Sequence, residues 1–170
     1  MTFGQRIAGV LTLSAAAFED IEADRRANTQ ALAVVVLASI AGGIGAGLLF
    51  GPLALLTETF AALVGWVMWA GVTYVIGTRL VPEPQTQSDM GELLRVIGFS
   101  YAPQVFNILA FVPLLGRGVR VFVALWLLAA TIIAVRQALD YRSTWRAVVV
   151  VLIGWAFFVI IQLVFSVGPS

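Results

Sequence analysis

The side chains able to do chemistry inside the apolar part of this chain are few and neutral: Ser39, Thr73, Tyr74, Ser100, Tyr101, Gln104, Asn107, Thr131 and Gln162. A hydroxyl nucleophile needs a base beside it. The 170 residues contain no His, no Cys and no Lys, so Ser100 has no second member for such a pair. The same absences exclude disulfides, thiolate chemistry and zinc sites of the usual kind. The nine carboxylates fall at or near the ends of apolar runs, and none is spaced to face another for acid–base work. Gly42-Gly43-Ile44-Gly45-Ala46-Gly47 lies within an apolar run and lacks the Lys and Ser/Thr that complete a phosphate-binding loop. We therefore expect no enzyme, no cofactor and no metal.

What remains is a physical question of where these groups sit. Of the residues, 61% are hydrophobic and 11% charged, against about 45–50% apolar and about 25% charged in soluble domains. Apolar runs of this length must face lipid. The charges lie in clusters between the runs, with no continuous basic face, so no nucleic-acid partner is expected. The expected fold is all-α: a single polytopic membrane domain over 1–170, with five transmembrane helices and an N-terminal amphipathic helix in the membrane interface. The spans are placed at roughly 31–50, 59–78, 93–115, 119–139 and 147–167.

Residues 2–27 carry the interfacial helix. Phe3, Ile7, Val10, Leu11, Phe18 and Ile21 form one stripe, and Arg6, Glu19, Asp20, Glu22 and Asp24 the other face. Thr2 and Gln5 form a capping box. A signal peptide built on Arg6, Ile7–Leu13 and Ala15-Ala16-Ala17 is the rival reading. In the first span Gly43, Gly47 and Gly51 recur every fourth residue, a spacing that lets another helix approach closely. Gly51-Pro52 ends that helix. Trp66 and Trp69 lie near the middle of the second span, where they are expected to pack against other helices. Pro82–Gln87 is a polar loop, and Asp89 with Glu92 caps the third span.

The third span, Val96–Gly116, is the unusual one. Gly98, Ser100, Tyr101, Pro103, Asn107 and Pro113 interrupt an otherwise apolar run. Pro103 lacks an N–H and should kink the helix and free the Phe99 carbonyl, which the Ser100 and Tyr101 hydroxyls or a neighbouring helix can compensate. Gly98 and Ala102 permit close packing. The polar groups either bond to neighbouring helices or line a small pore.

Orientation follows from the arginines. With five spans and a cytoplasmic N-terminus, Arg6, Arg25, Arg26, Arg79, Arg95, Arg136, Arg142 and Arg146 lie inside, and Arg117 and Arg120 outside. A re-entrant third segment would give a poorer seven against three. The exclusive use of Arg, with abundant Ala, Val and Gly, points to GC-rich coding and a bacterial cytoplasmic membrane.

Three local patterns, in order, resemble the Yip family of Ypt/Rab-interacting multi-span membrane proteins, and in particular its short bacterial members. They are Phe18–Asp24 followed by Gln30–Leu32 and Val34–Leu37, then Val96-Ile97-Gly98-Phe99-Ser100-Tyr101-Ala102-Pro103 with the downstream Pro113, then Ser143–Val148. The resemblance covers nearly the whole chain. It implies a cytosolic N-terminus and a non-enzymatic, membrane-embedded binding, accessory or scaffolding subunit. Its partners would be the lipid bilayer and other membrane subunits or further copies of itself. Much of the long cytosolic N-terminal region of the eukaryotic members is absent, so their GTPase binding does not carry over. The alternative is a small channel or permease with a pore lined by the third span.

Overall fold

The structure is a computed structural model that describes residues 1–112 and 115–166; the side chains of 45–50, 111 and 161–166 lie outside the description. All described regular structure is helical. Helix α1 is Phe3–Leu11, α2 Ala15–Ala23, α3 Ala27–Phe50, α4 Pro52–Val75, α5 Met90–Ser100, α6 Gly116–Ala138 and α7 Thr144–Ser166. A π-helical turn, Ile76–Leu80, extends α4, and a 3-10 helix, Ala102–Phe111, extends α5.

The N-terminal region departs from the expected single helix. The Thr2–Gln5 capping box forms, but α1 stops at Leu11 and the chain folds back as α2. Leu13 takes a positive φ of 58°. Its N–H donates to the Val10 carbonyl at 3.0 Å, and that of Ser14 to the Gly9 carbonyl at 2.8 Å. These are the two bonds of a Schellman helix end. The reversal lays α1 on α2 so closely that a Cβ at Gly9 would stand 2.4 Å from that of Ala17. Val10, Phe18 and Ile21 are fully buried, so much of the apolar stripe faces the bundle. The hairpin packs on α5 and α6, where Trp126 Nε1 donates to the Leu11 carbonyl at 3.1 Å.

Four segments are long and apolar enough to cross a membrane: Ala27–Ile44, Pro52–Leu80, Met90–Ala110 and Gly116–Ala138. In α7 the described apolar stretch is Thr144–Ile160. Gly51, at φ 88°, makes the joint between α3 and α4, a conformation that Gly adopts without strain. The π turn is closed from outside the helix: the Tyr141 hydroxyl donates to the carbonyls of Gly77 and Val81, at 2.9 and 2.7 Å. Leu139 fills the space that a Gly77 side chain would need.

The third span is likewise not one continuous α-helix. Asp89 and Glu92 make the expected capping box, and α5 runs to Ser100. Pro103 then supplies no N–H for the α-ladder, and the backbone tightens into a ten-residue 3-10 helix. That is well beyond the usual three or four residues. It is held between α3 and α6. Eleven α residues and ten 3-10 residues together span about 36 Å, enough to cross about 30 Å of hydrocarbon. The segment is long and apolar enough to cross a membrane, with a change of pitch at its middle.

Candidate functional site

The third-span residues sit at the centre of the bundle. Gly98 is buried where α3 and α4 converge: a Cβ there would lie 2.8 Å from that of Ala31 and 3.1 Å from the Trp66 ring. Trp66 is 7% exposed and donates from Nε1 to the Leu94 carbonyl at 3.0 Å. The mid-span tryptophan thus packs inward, as its position in the sequence implied.

Ser100 is fully buried. Its hydroxyl donates to the Ile97 carbonyl at 2.7 Å and lies 3.2 Å from Thr131 Oγ1 on α6. It does not serve the Phe99 carbonyl as expected; the helix turn below takes it instead. Tyr101 N–H reaches the Gly98 carbonyl at 3.3 Å, and Gln104 N–H that of Tyr101 at 2.9 Å. Pro103 opens the 3-10 helix. Asn107 Oδ1 and Thr73 Oγ1 are buried without a hydrogen-bond partner among the described residues. Pro113 lies outside the described residues.

The glycines of α3 divide. Gly43 is buried against α4, where a Cβ would meet Leu55 Cδ1 at 3.1 Å and Glu58 Cβ at 3.6 Å. Its close neighbour is therefore a helix of the same chain. Gly51 has open space around it and serves the turn. The surroundings of Gly47 lie outside the described residues.

A second polar centre gathers at the end of the bundle that holds the starts of α3 and α5. Arg6 is only 3% exposed. Its Nε donates to Asp20, its Nη2 to Asp24 and its Nη1 to Gln30, each at 2.8 Å. The N-terminal ammonium adds a 2.8 Å contact to Asp20. Burial alone would lower the Arg6 pKa, but the bonds to Asp24 and Asp20 raise it. Asp20 is held below the usual carboxylate range by the N-terminal ammonium and by Arg6. Asp24 is held down by Arg6 and by the Arg26 N–H.

Beside this cluster Arg95, also 3% exposed, clasps the Glu22 carbonyl and reaches Asn28 Oδ1 at 3.4 Å. The Glu22 carboxyl itself is pushed up to about 7, by burial first and then by the negative charges of Asp140 and Glu92. Glu19 accepts from Gln137 at the end of α6. The polar loop joins the same layer: Arg146 donates to the Pro82 carbonyl and lies 3.3 Å from Glu83.

Sequence reasoning placed Arg6, Glu19, Asp20, Glu22 and Asp24 together on the outer polar face of one interfacial helix. Both Asp20 and Asp24 are instead consumed by Arg6. The signal available was the spacing of four between Asp20 and Asp24, which puts both on one side of α2. Their partner became visible only with the α1–α2 reversal.

Among the described residues no group of His, Cys, Asp or Glu is arranged to hold a metal ion. Buried neutral hydroxyls at mid-span, charges gathered at helix ends and lipid-length apolar helices define a polytopic helical membrane protein. The Yip1 domain family model matches residues 8–165, and the chain belongs to that family. The match begins within α1, so most of the N-terminal hairpin is part of the family domain. No curated protein and no solved structure matches the chain.

Proposed function

We propose that this chain is a non-enzymatic membrane subunit that binds or organises other membrane proteins, or further copies of itself, through helix–helix contacts. The observation that carries this reading is how its polar groups are used. Ser100 bonds Thr131, Trp66 bonds Leu94, and Arg6 and Arg95 each make three hydrogen bonds within the chain. The surface at membrane depth is hydrocarbon, with Leu53, Phe60, Phe122 and Trp155 each more than 60% exposed. Such a surface offers contact to lipid and to other helices and little to a water-borne substrate. A pore through the third span would need its polar groups facing a common channel, whereas Ser100 is turned onto α6.

The orientation we infer has the N-terminus in the cytoplasm of a bacterial cell and the C-terminus outside. Its support is the layer that joins Arg6, Arg95 and Arg146, with Arg117 and Arg120 about 30 Å away along α6. The test is purification in mild detergent followed by mass spectrometry. A stoichiometric membrane partner or a defined oligomer is the expected result. A monomer that carries only lipid in several mild detergents would sink the proposal.

A further inference from the structure

The α1–α2 hairpin is a self-contained unit. Its ion pairs are internal: Arg6 holds Asp20 and Asp24, and the N-terminal ammonium holds Asp20. The close approach of Gly9 to Ala17 joins its two helices. Among the described residues, four side chains make the hydrogen bonds that tie it to the rest of the bundle. Arg95 donates to the Glu22 carbonyl, Gln137 to Glu19, Trp126 to the Leu11 carbonyl and Arg6 to Gln30. The tip of the hairpin thus bonds the middle of α6, so the hairpin lies beside the spans at membrane depth. Its buried Val10, Phe18 and Ile21 exchange helix for lipid if it leaves the bundle. Lipid tails are as apolar as these side chains, so apolar contact gives little preference between the two positions. The polar ties decide it. The joint is short: α2 ends at Asp24 in an extended conformation, and the exposed Arg25 and Arg26 lead into α3.

Glu22 makes one of these ties conditional. The bonds from Arg95 go to its main-chain carbonyl. Its half-buried carboxyl belongs to none of the ion pairs among the described residues. Most of the charges facing it have its own sign. Asp140 comes from the end of α6, Glu92 from the first turn of α5 and Glu19 from the preceding turn of α2, with Arg95 in opposition. Arg136, at the same end of α6, is turned onto the Tyr141 carbonyl. We propose that the hairpin is a pH-gated arm, docked on α5 and α6 while the Glu22 carboxyl holds its proton and released into the lipid interface when that proton leaves. Burial first, then Asp140 and Glu92, raise this carboxyl to about 7, so the gate works near neutral pH. The chain has no His to titrate there, and the N-terminal ammonium is paired inside the hairpin and travels with it. In the released arm the carboxyl returns toward its ordinary value of 4.5. Docking is therefore strongest below that value, weakens by up to about tenfold per pH unit above it, and is weakest above about 7. The gate belongs to this chain alone and needs no protein partner.

The chain lacks Cys, so spin labels attach only where a cysteine is introduced. Ala16→Cys on α2 and Thr144→Cys at the start of α7, both exposed positions, put one label on the arm and one on the bundle. Double electron–electron resonance on the full chain in phosphatidylcholine nanodiscs reads the distance between them. One narrow distance is expected at about pH 5, with a longer, broader population that grows as pH rises to about 8. Glu22→Gln, which carries no charge at either pH, should keep the narrow distance throughout. Asp140→Asn removes one repelling charge and should reduce the released fraction at the higher pH. Thermal melting of each variant establishes that it is folded. The same distances at both pH values in the labelled parent chain would overturn the proposal. So would a pH-dependent change that persists in folded Glu22→Gln, or release in Asp140→Asn as complete as in the parent.

Discussion

The Arg95 guanidinium donates from Nη2 and Nε to the main-chain carbonyl of Glu22, at 2.6 and 3.1 Å. The last carbonyls of a helix have no partner within it, and its C-terminal end favours positive charge. Arg95 therefore ties the end of α2 to the body of α5. Arg95→Met should lower stability by about 2 kcal/mol, the worth of charged hydrogen bonds, and loosen α2. Arg95→Lys should recover only part, because an ammonium cannot fork onto one carbonyl as guanidinium does. Thermal melts and limited proteolysis between α2 and α3 report both effects. Unchanged melts would show that this contact does not hold α2.

Glu22 makes the same junction sensitive to pH. Its carboxyl is raised from 4.5 to about 7 in the fold, by burial and then by Asp140 and Glu92, with Glu19 adding to the repulsion and Arg95 opposing it. Between those values the folded chain holds a proton that the unfolded chain has released. Stability should therefore fall as pH rises through that window. Glu22→Gln should flatten this slope. Asp20 and Asp24, both held low, act in the opposite sense: their stabilisation is present above the ordinary carboxylate range and is lost as pH falls below it. Melting temperatures measured from about pH 3 to about pH 8 separate the two limbs.

Asp140 offers a gain in stability. It sits at φ 53° after α6, with its N–H on the Gln137 carbonyl and that of Tyr141 on the Arg136 carbonyl, each at 2.9 Å. This is a Schellman end without the glycine that usually occupies it. Asp140→Gly should stabilise by about 0.5–1 kcal/mol through relief of the left-handed conformation. A melt that drops would show that the aspartate side chain contributes more than the strain costs.

The features legible in the sequence were those set by local chemistry. Thr2–Gln5 and Asp89–Glu92 announce their helix starts because cap and partner are three residues apart. The apolar runs announce the long helices because lipid thickness fixes their length. The α1–α2 reversal was hidden because Leu13 stands where a glycine would have flagged a helix end. Once that turn was missed, the pairing of Arg6 with Asp20 and Asp24 was out of reach. Ser100 and Thr131 are 31 positions apart, and no periodicity on either helix foretells their contact. Pro103 marked a break in the α-ladder, but that the backbone tightens to 3-10 for ten residues depends on the walls α3 and α6 provide.

Gly98 and Gly65 give the sharpest contrast for the central packing. A methyl at Gly65 meets nothing within 4 Å, so Gly65→Ala should be neutral or stabilising by up to about 1 kcal/mol from helix propensity. A methyl at Gly98 meets Ala31 Cβ at 2.8 Å and two Trp66 ring atoms at 3.1 and 3.2 Å. Neither neighbour can swing aside: Ala31 has no side-chain rotor, and Trp66 is anchored through its Nε1 to Leu94. Gly98→Ala should therefore push α5 away from α3 and cost about 1–3 kcal/mol. The relief is specific, since removing the opposing methyl reopens the space. The double variant Gly98→Ala/Ala31→Gly should be more stable than the sum of the two single changes by about 1 kcal/mol. Melts of the four proteins in detergent complete the cycle, and strict additivity would show that the two helices do not meet at this point.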